Sequence, residues 1–348
     1  MAGPLALFDD RGIRLGAKAI ALYAIIAVAN FGAWAWAFAA FHGNPLLLGT
    51  ALLAYGLGLR HAVDADHIAA IDNVTRKLMQ EGKRPIGIGF FFALGHSTVV
   101  IVAAAAVALT AGTLQERYPA LLSVGGVIGT SVSAAFLFAI AAINLVVLVG
   151  VWRLFRRVKR GGALAEDELD GFLARRGLLG RVFRRLFRLI GRSWHMYPLG
   201  FLFGLGFDTA SEIGLLGIAA AEAVKGMPAW STLVFPALFT AGMSLVDTTD
   251  GVLMLGAYGW AFVNPVRKLY YNLTITGVSV VVAVAIGGIE ALGLVADRLG
   301  LDGGLWTAVN TANDNFGALG YAVIAIFAAT WLVSFVVYRV RGYDRFSA

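Results

Sequence analysis

The residues of this 348-residue chain that could do chemistry are five His and a set of acids placed among apolar neighbours. His61, Asp64, Asp66 and His67 fall within seven positions, with Arg60 before them and Asp72 after. His96 stands alone further on, Asp208 and Glu212 form an i,i+4 pair, and Asp247 and Asp250 an i,i+3 pair. Imidazole nitrogen combined with carboxylate oxygen suits a borderline divalent transition metal, rather than copper(I) or an all-oxygen magnesium or calcium cage. The chain has no Cys, which excludes thiolate zinc, iron–sulfur and disulfide chemistry.

Helical spacing sharpens this. At about 100° per residue, His61, Asp64 and His67 share an arc of about 120° on one helix, whereas Asp66 points away and is free to neutralise Arg60 or cap a break. With Gly56, Gly58 and Asp72 in it, the 30-residue stretch need not be one straight helix. Each of the later carboxylate pairs shares a face, and two buried carboxylates so placed repel unless a proton, a base or a cation lies between them.

The surrounding elements are apolar. The chain is 59% hydrophobic and 14% charged, with a mean hydropathy of +0.77, where a soluble domain carries about a quarter charged residues. These values predict an all-α polytopic membrane protein with eight transmembrane helices near residues 19–41, 46–75, 86–111, 121–152, 196–222, 230–258, 269–296 and 317–340. The first run is too long for a cleaved signal peptide and is read as a retained helix. The organisation expected is helices 1–4 with the metal motif in residues 1–152, a basic connection in 153–195, and helices 5–8 in 196–348.

A net charge of +7 need not mean nucleic acid, because the basic residues are segregated. With the N-terminus inside, 24 of the 28 Lys and Arg lie in cytoplasmic segments, 12 of them in 153–195, while Arg117, Lys225 and Arg298 fall outside and Arg60 within a span. Both termini are therefore expected in the cytoplasm. Within the connection, Leu178, Leu179, Val182, Phe183, Leu186, Phe187 and Ile190 recur at helical spacing between arginines, the pattern of a helix lying on the inner leaflet or packed on the bundle. Gly200 and Gly204 form a GxxxG, read as helix-packing scaffold.

Depth gives an independent test. At 1.5 Å per residue, His96 and Asp208 lie ~15 and ~18 Å from the inner ends of their spans, and His61 and Asp247 ~23 and ~26 Å from the outer ends. All fall between the midplane and the inner leaflet, as one site requires. Internal salt bridges alone would not account for the acids, since the predicted spans contain only Arg60, apart from Arg339 at the inner end of the last, and no Lys. An intramembrane metalloenzyme, the rival from another class, would need an open metal position and a general base, typically as H-E-x-x-H, which is absent, and a retinal-type receptor a Lys within a span. His42 and His195 are read as interfacial, Asn30 as a candidate contributor to selectivity, and Glu290 as water-accessible near an outer span end.

RHAVDADHIAAIDN, from Arg60 to Asn73, resembles the signature of the nickel/cobalt permease family, eight-helix metal importers whose second helix carries H-x-x-x-x-D-H. LGHSTVV from Leu94, LGFDTASEI from Leu205 and GMSLVDTTDG from Gly242 resemble further segments of that family, in the expected order. The resemblance implies uptake of nickel or cobalt ions across the cytoplasmic membrane, with the ion as substrate and no prosthetic group or catalysed reaction. It carries over His61, Asp66 and His67 as the core motif, with Asp64 beside them. His96, Asp208, Glu212, Asp247 and Asp250 carry over as further polar positions. An exporter of related sequence is the alternative, and the lack of a long His-rich cytoplasmic loop favours import.

Overall fold

The computed structural model describes residues 9–10, 15–110, 118–159, 190–206, 210–261 and 265–340. Among them every extended element is an α-helix: α1 (Leu15–Phe41), α2 (Pro45–His61), α3 (Ala65–Gln80), α4 (Ile88–Thr110), α5 (Tyr118–Lys159), α6 (Met196–Gly204), α7 (Ala210–Val224), α8 (Ala229–Thr232), α9 (Val234–Ala261), α10 (Pro265–Leu299), α11 (Gly304–Asp314) and α12 (Phe316–Val340). Six helical stretches are long and apolar enough to cross a bilayer, and a seventh span results if α2 and α3, bent by 50° at their junction, count as one. The span expected at 196–222 appears as α6 and α7, of 9 and 15 residues. Residues 207–209 between them, Asp208 included, lie outside the described residues, as does the expected amphipathic segment apart from Ile190.

Local sequence explains the break that matters most. Asn44 caps α2, accepting from the backbone N–H of Leu46 and Leu47 at 3.1 and 3.2 Å, with Pro45 in the first turn. At the other end α2 stops at His61, and Asp64 takes the extended N-cap conformation that opens α3. Its side chain makes no capping bond and instead accepts from His61 Nδ1 at 3.0 Å. The single-helix arc expected for His61, Asp64 and His67 is therefore corrected: a cap geometry interrupts the helix, and the bend rather than the 100° rotation brings the rings together.

A second correction concerns the inner end of α3. The helix continues to Gln80, past the expected boundary at 75, and its last turns bury Arg76 and Lys77 at 1% and 3% exposure. Arg76 is thus a cation inside the bundle, Nη2 lying 3.6 Å from Asp72 Oδ2, which the reading of one basic residue in the spans did not foresee. Gly82, at φ 75°, then turns the chain back, with Lys83 N–H donating to Leu78 O at 3.0 Å.

Small residues set helix separations around the break. A Cβ at Gly320 of α12 would fall 1.5 Å from Val63 O, one at Gly58 2.1 Å from Phe239 O, and one at Gly89 1.8 Å from Asp247 O. Gly200 and Gly204 act as expected, bringing α6 against α4 at Phe92 O and His96 O. Buried apolar clusters flank the junction, one joining α3, α5, α10 and α12, the other α1, α2, α4, α7 and α9. Asn30 serves the second: its amide donates to Ile26 O and Ala241 O, and Tyr55 donates to its Oδ1 at 3.0 Å. Glu290 is corrected from water-accessible to buried, accepting from Ser133 at 2.8 Å where α5 lies along α10.

Candidate metal centre

Five helices place the polar residues. The last turn of α2 supplies His61, the cap and first turns of α3 supply Asp64, Asp66 and His67, α4 supplies His96, α7 Glu212, and α9 Asp247 and Asp250. His61, His67 and His96 are all buried, with ring centroids 4.7 Å (His61 to His67), 4.8 Å (His61 to His96) and 4.9 Å (His67 to His96) apart. One ligand atom from each lies within 4.8 Å of the other two. Phe92 and Phe239 pack on this group, with ring centroids 4.8 Å from His67 and 5.5 Å from His61.

The hydrogen bonds orient the rings. His61 Nδ1 donates to Asp64 Oδ2 at 3.0 Å, and His67 Nδ1 to Asp247 Oδ1 at 3.3 Å. A carboxylate on one ring nitrogen keeps the hydrogen there and leaves the other nitrogen as a lone pair, the arrangement that holds imidazole ligands to metals. The freed Nε2 of His61 lies 2.9 Å from His96 Nε2, which donates in turn to Glu212 Oε1 at 2.8 Å; Glu212 Oε1 is 3.9 Å from His61 Nε2. His67 Nε2 and His96 Nδ1 are buried without a hydrogen-bond partner.

These separations are close to those of coordination chemistry. Two ligand atoms each ~2.1 Å from one ion stand about 3.0 Å apart at a right angle and about 3.4 Å apart at the tetrahedral angle. The His61 Nε2 to His96 Nε2 and His96 Nε2 to Glu212 Oε1 separations, 2.9 and 2.8 Å, fall just short of that range and the His61 Nε2 to Glu212 Oε1 separation, 3.9 Å, exceeds it, so small side-chain shifts would bring the three atoms round one cation. Three imidazoles and an acid, with aromatic rings around them and water excluded, form a compact nitrogen-rich pocket for a partly dehydrated divalent ion.

The remaining predicted residues are placed less centrally. Asp66 and Asp250 are partly buried, and each has one inward oxygen, Oδ1 and Oδ2 respectively, without a hydrogen-bond partner. Arg60 donates to Ser211 Oγ at 2.5 Å and so ties α2 to α7 beside Glu212. His42 is exposed at the end of α1, and His195 accepts from Gly191 N–H at 3.1 Å, so neither joins the cluster.

Sequence reasoning missed a second polar group on α3. Asp72 accepts from Tyr258 and from Ser279, the latter at 2.9 Å, and lies beside Arg76. Arg76 also donates to Asn73 Oδ1 at 2.7 Å, and Asn144 donates to that same oxygen at 2.6 Å. The available signal was the spacing of Asp72 and Arg76, an i,i+4 acid–base pair on one helix face.

With this geometry in view, the comparisons are specific. Residues 47–337 match the NicO family, described as high-affinity nickel-transport protein. A high-affinity nickel transport protein of Cupriavidus necator is 63% identical over 328 residues, covering 94% of this chain and 93% of the relative. The high-affinity nickel-transport protein NixA of Helicobacter pylori is 43% identical, covering 86% and 90%. The cobalt transport protein NhlF of Rhodococcus rhodochrous is 44% identical, covering 84% of each chain. No solved structure matches. A family match over most of the length and relatives at these identities together place this chain in the NicO family of high-affinity nickel-transport proteins.

Proposed function

We propose that the chain takes up divalent nickel or cobalt across the cytoplasmic membrane, with the ion as its substrate. The carrying observation is the convergence of His61 Nε2 and His96 Nε2 on Glu212 Oε1, with a ring nitrogen of His67 within 4.8 Å of ligand atoms of both other imidazoles. In this reading His61, His67, His96 and Glu212 are direct ligands. Asp64 and Asp247 hold the imidazoles of His61 and His67 in the metal-facing tautomer, and Asp66 and Asp250 line the route. For His96 Nε2 to bind the ion, the ring's hydrogen must move to Nδ1, which has no hydrogen-bond partner, so that the neutral imidazole offers its Nε2 lone pair.

The relatives' names support nickel and cobalt as the cargo, and the ligand set accepts both. Eight crossings in two four-helix halves follow if α2 with α3 and α6 with α7 each count as one broken span, the basic connection 153–195 lying between the halves. The charge distribution supports cytoplasmic termini in an inner membrane. An inside-negative potential would then draw a divalent ion inward with ~4.6 kcal/mol per 100 mV, which favours import over export.

The test is uptake of radioactive nickel and cobalt into cells lacking other importers. His61→Ala and His67→Ala are expected to abolish uptake at nanomolar to micromolar supply while the protein remains in the membrane; normal uptake by either variant refutes the assignment. Reporter fusions at Glu116 and Gly161 should read outside and inside respectively.

A further inference from the structure

A groove of about 370 Å³ runs between α5 and α6, away from the imidazole group. Its walls are apolar, with Ala135, Ala139 and Ile143 on α5 and Leu202 on α6 among them, and the polar side chains lining it are Lys77 and His195. Both sit at one end. Lys77 Nζ donates to Ile190 O, and His195 accepts from Gly191 N–H, which fixes the two beside the same short segment. The stretch of α5 that lines the groove, from Val132 to Ile143, rises about 17 Å. Ala135, Pro198 and Leu202 are exposed, so the groove opens sideways, toward the bilayer that surrounds such a bundle.

Charge and aromatic placement single out an occupant. Among the described residues, Lys77, Lys83 and Arg192 stand at or beside the segment that closes the polar end, against the acids Glu81 and Asp10; Glu81 lies 3.8 Å from Lys77 Nζ and 2.8 Å from Lys83 Nζ. Lys83 Nζ donates to Gly191 O at 2.8 Å, and Trp194 is exposed beside it, as interfacial Trp residues are. A narrow apolar slot with cations at its mouth matches an amphiphile with one hydrocarbon chain inserted and a negative headgroup outside, and basic pockets between transmembrane helices hold anionic lipids in this way. We propose that the groove between α5 and α6 is a binding site for an anionic phospholipid, with an acyl chain along Val132–Ile143 and the headgroup at Lys77 and His195. The lipid then abuts the last buried turn of α3, the helix that carries His67.

Native mass spectrometry of the full-length protein, released from detergent with equal amounts of phosphatidylglycerol and phosphatidylcholine, tests this. One phosphatidylglycerol should be retained in preference to phosphatidylcholine. Ala139→Trp, which fills the slot, should remove that adduct, and Lys77→Gln should lower the preference about fivefold, the effect of one basic group near a membrane surface. Should Ala139→Trp fail to yield folded protein, Ala135→Trp at the open side gives the same readout. Equal retention of the two lipids by the unmodified protein, an undiminished adduct in the Trp variant, or an unchanged preference in Lys77→Gln each overturns the proposal. Nickel uptake is not part of the readout, so the result stands apart from the transport reading.

Discussion

The two buried polar groups on α3 lie less than two helical turns apart, yet they are built on opposite principles. Around His67 the lone pairs converge: three imidazoles face one another, and His67 Nε2 and His96 Nδ1 lack partners. Around Asp72 the carboxylate is met by Tyr258, Ser279 and Arg76, which reach it from α9, α10 and α3 itself. Burying an unpaired polar atom costs on the order of 1–3 kcal/mol, and both groups hold such atoms, since Arg76 Nε and Nη1 are also without a hydrogen-bond partner; the difference is that the Asp72 carboxylate is met on both oxygens whereas the three imidazoles face one another. The first group is arranged for a visitor, the second to hold α3 in place. Charge in a membrane helix marks function by default, and here the convergence of three imidazoles, against a carboxylate met by donors from three helices, separates a ligand face from an anchor.

The contrast breaks most sharply at His96. His96→Ala removes the nitrogen that bridges His61 and Glu212, and nickel affinity in isothermal titration of purified protein should fall by more than the 10–100-fold typical of an outer-shell partner. Melting of the metal-free protein should fall as well, because the change leaves a cavity and takes the donor from buried Glu212, so the affinity of the folded fraction is the deciding readout. Asp72→Ala should behave in the reverse manner. It leaves Arg76 buried without its carboxylate and should destabilise the protein by about 3–5 kcal/mol, seen as loss of folded material on size exclusion. Pairing it with Arg76→Met, which removes the stranded charge, should recover much of that loss; a double variant no better than the single one would contradict the anchoring role of the pair.

Much of this was legible because membrane insertion makes polar residues conspicuous. The apolar runs located α1, α4, α9, α10 and α12 to within a few residues, and a search for acids and His within them pointed to the residues that cluster. What escaped was local competition. Asp64 could not be seen to interrupt the helix, because an Asp at an N-cap and an Asp on a ligand face look alike in sequence, and only the fold shows its oxygen directed to His61 rather than to a backbone amide. Arg76 and Lys77 were assigned to a connection because hydropathy ends a span at the first cations, whereas Asp72 and the Ile190 carbonyl give those cations partners that let the helix continue. Glu290 was misjudged for a similar reason, since its partner Ser133 is 157 positions away.

Two smaller changes sharpen the comparison. Asp247→Asn keeps the volume next to His67 but replaces the carboxylate that fixes the ring's hydrogen on Nδ1. Nickel affinity should drop about 10–100-fold with the fold intact. Unchanged affinity would show that the His67 tautomer does not depend on Asp247, and would leave only the His61 and His96 side of the cluster to carry the metal.

Ser279→Ala should have the smallest effect, and its value lies in what it leaves alone. Ser279 Oγ lies 2.9 Å from Asp72 Oδ2 and 3.0 Å from the Ile275 carbonyl, so one hydroxyl serves an acid already met by Tyr258 and Arg76. Removing it should cost about 1 kcal/mol, the usual net worth of one hydrogen bond, visible as a small shift in the thermal midpoint. Nickel affinity and the apparent KM for uptake should match the unmodified protein, because the change ends at the anchor. A variant that melts normally but takes up nickel with an altered KM would reverse the distinction. It would mean that Asp72 moves with the imidazole group during transport, and that the two polar centres of α3 act as one device.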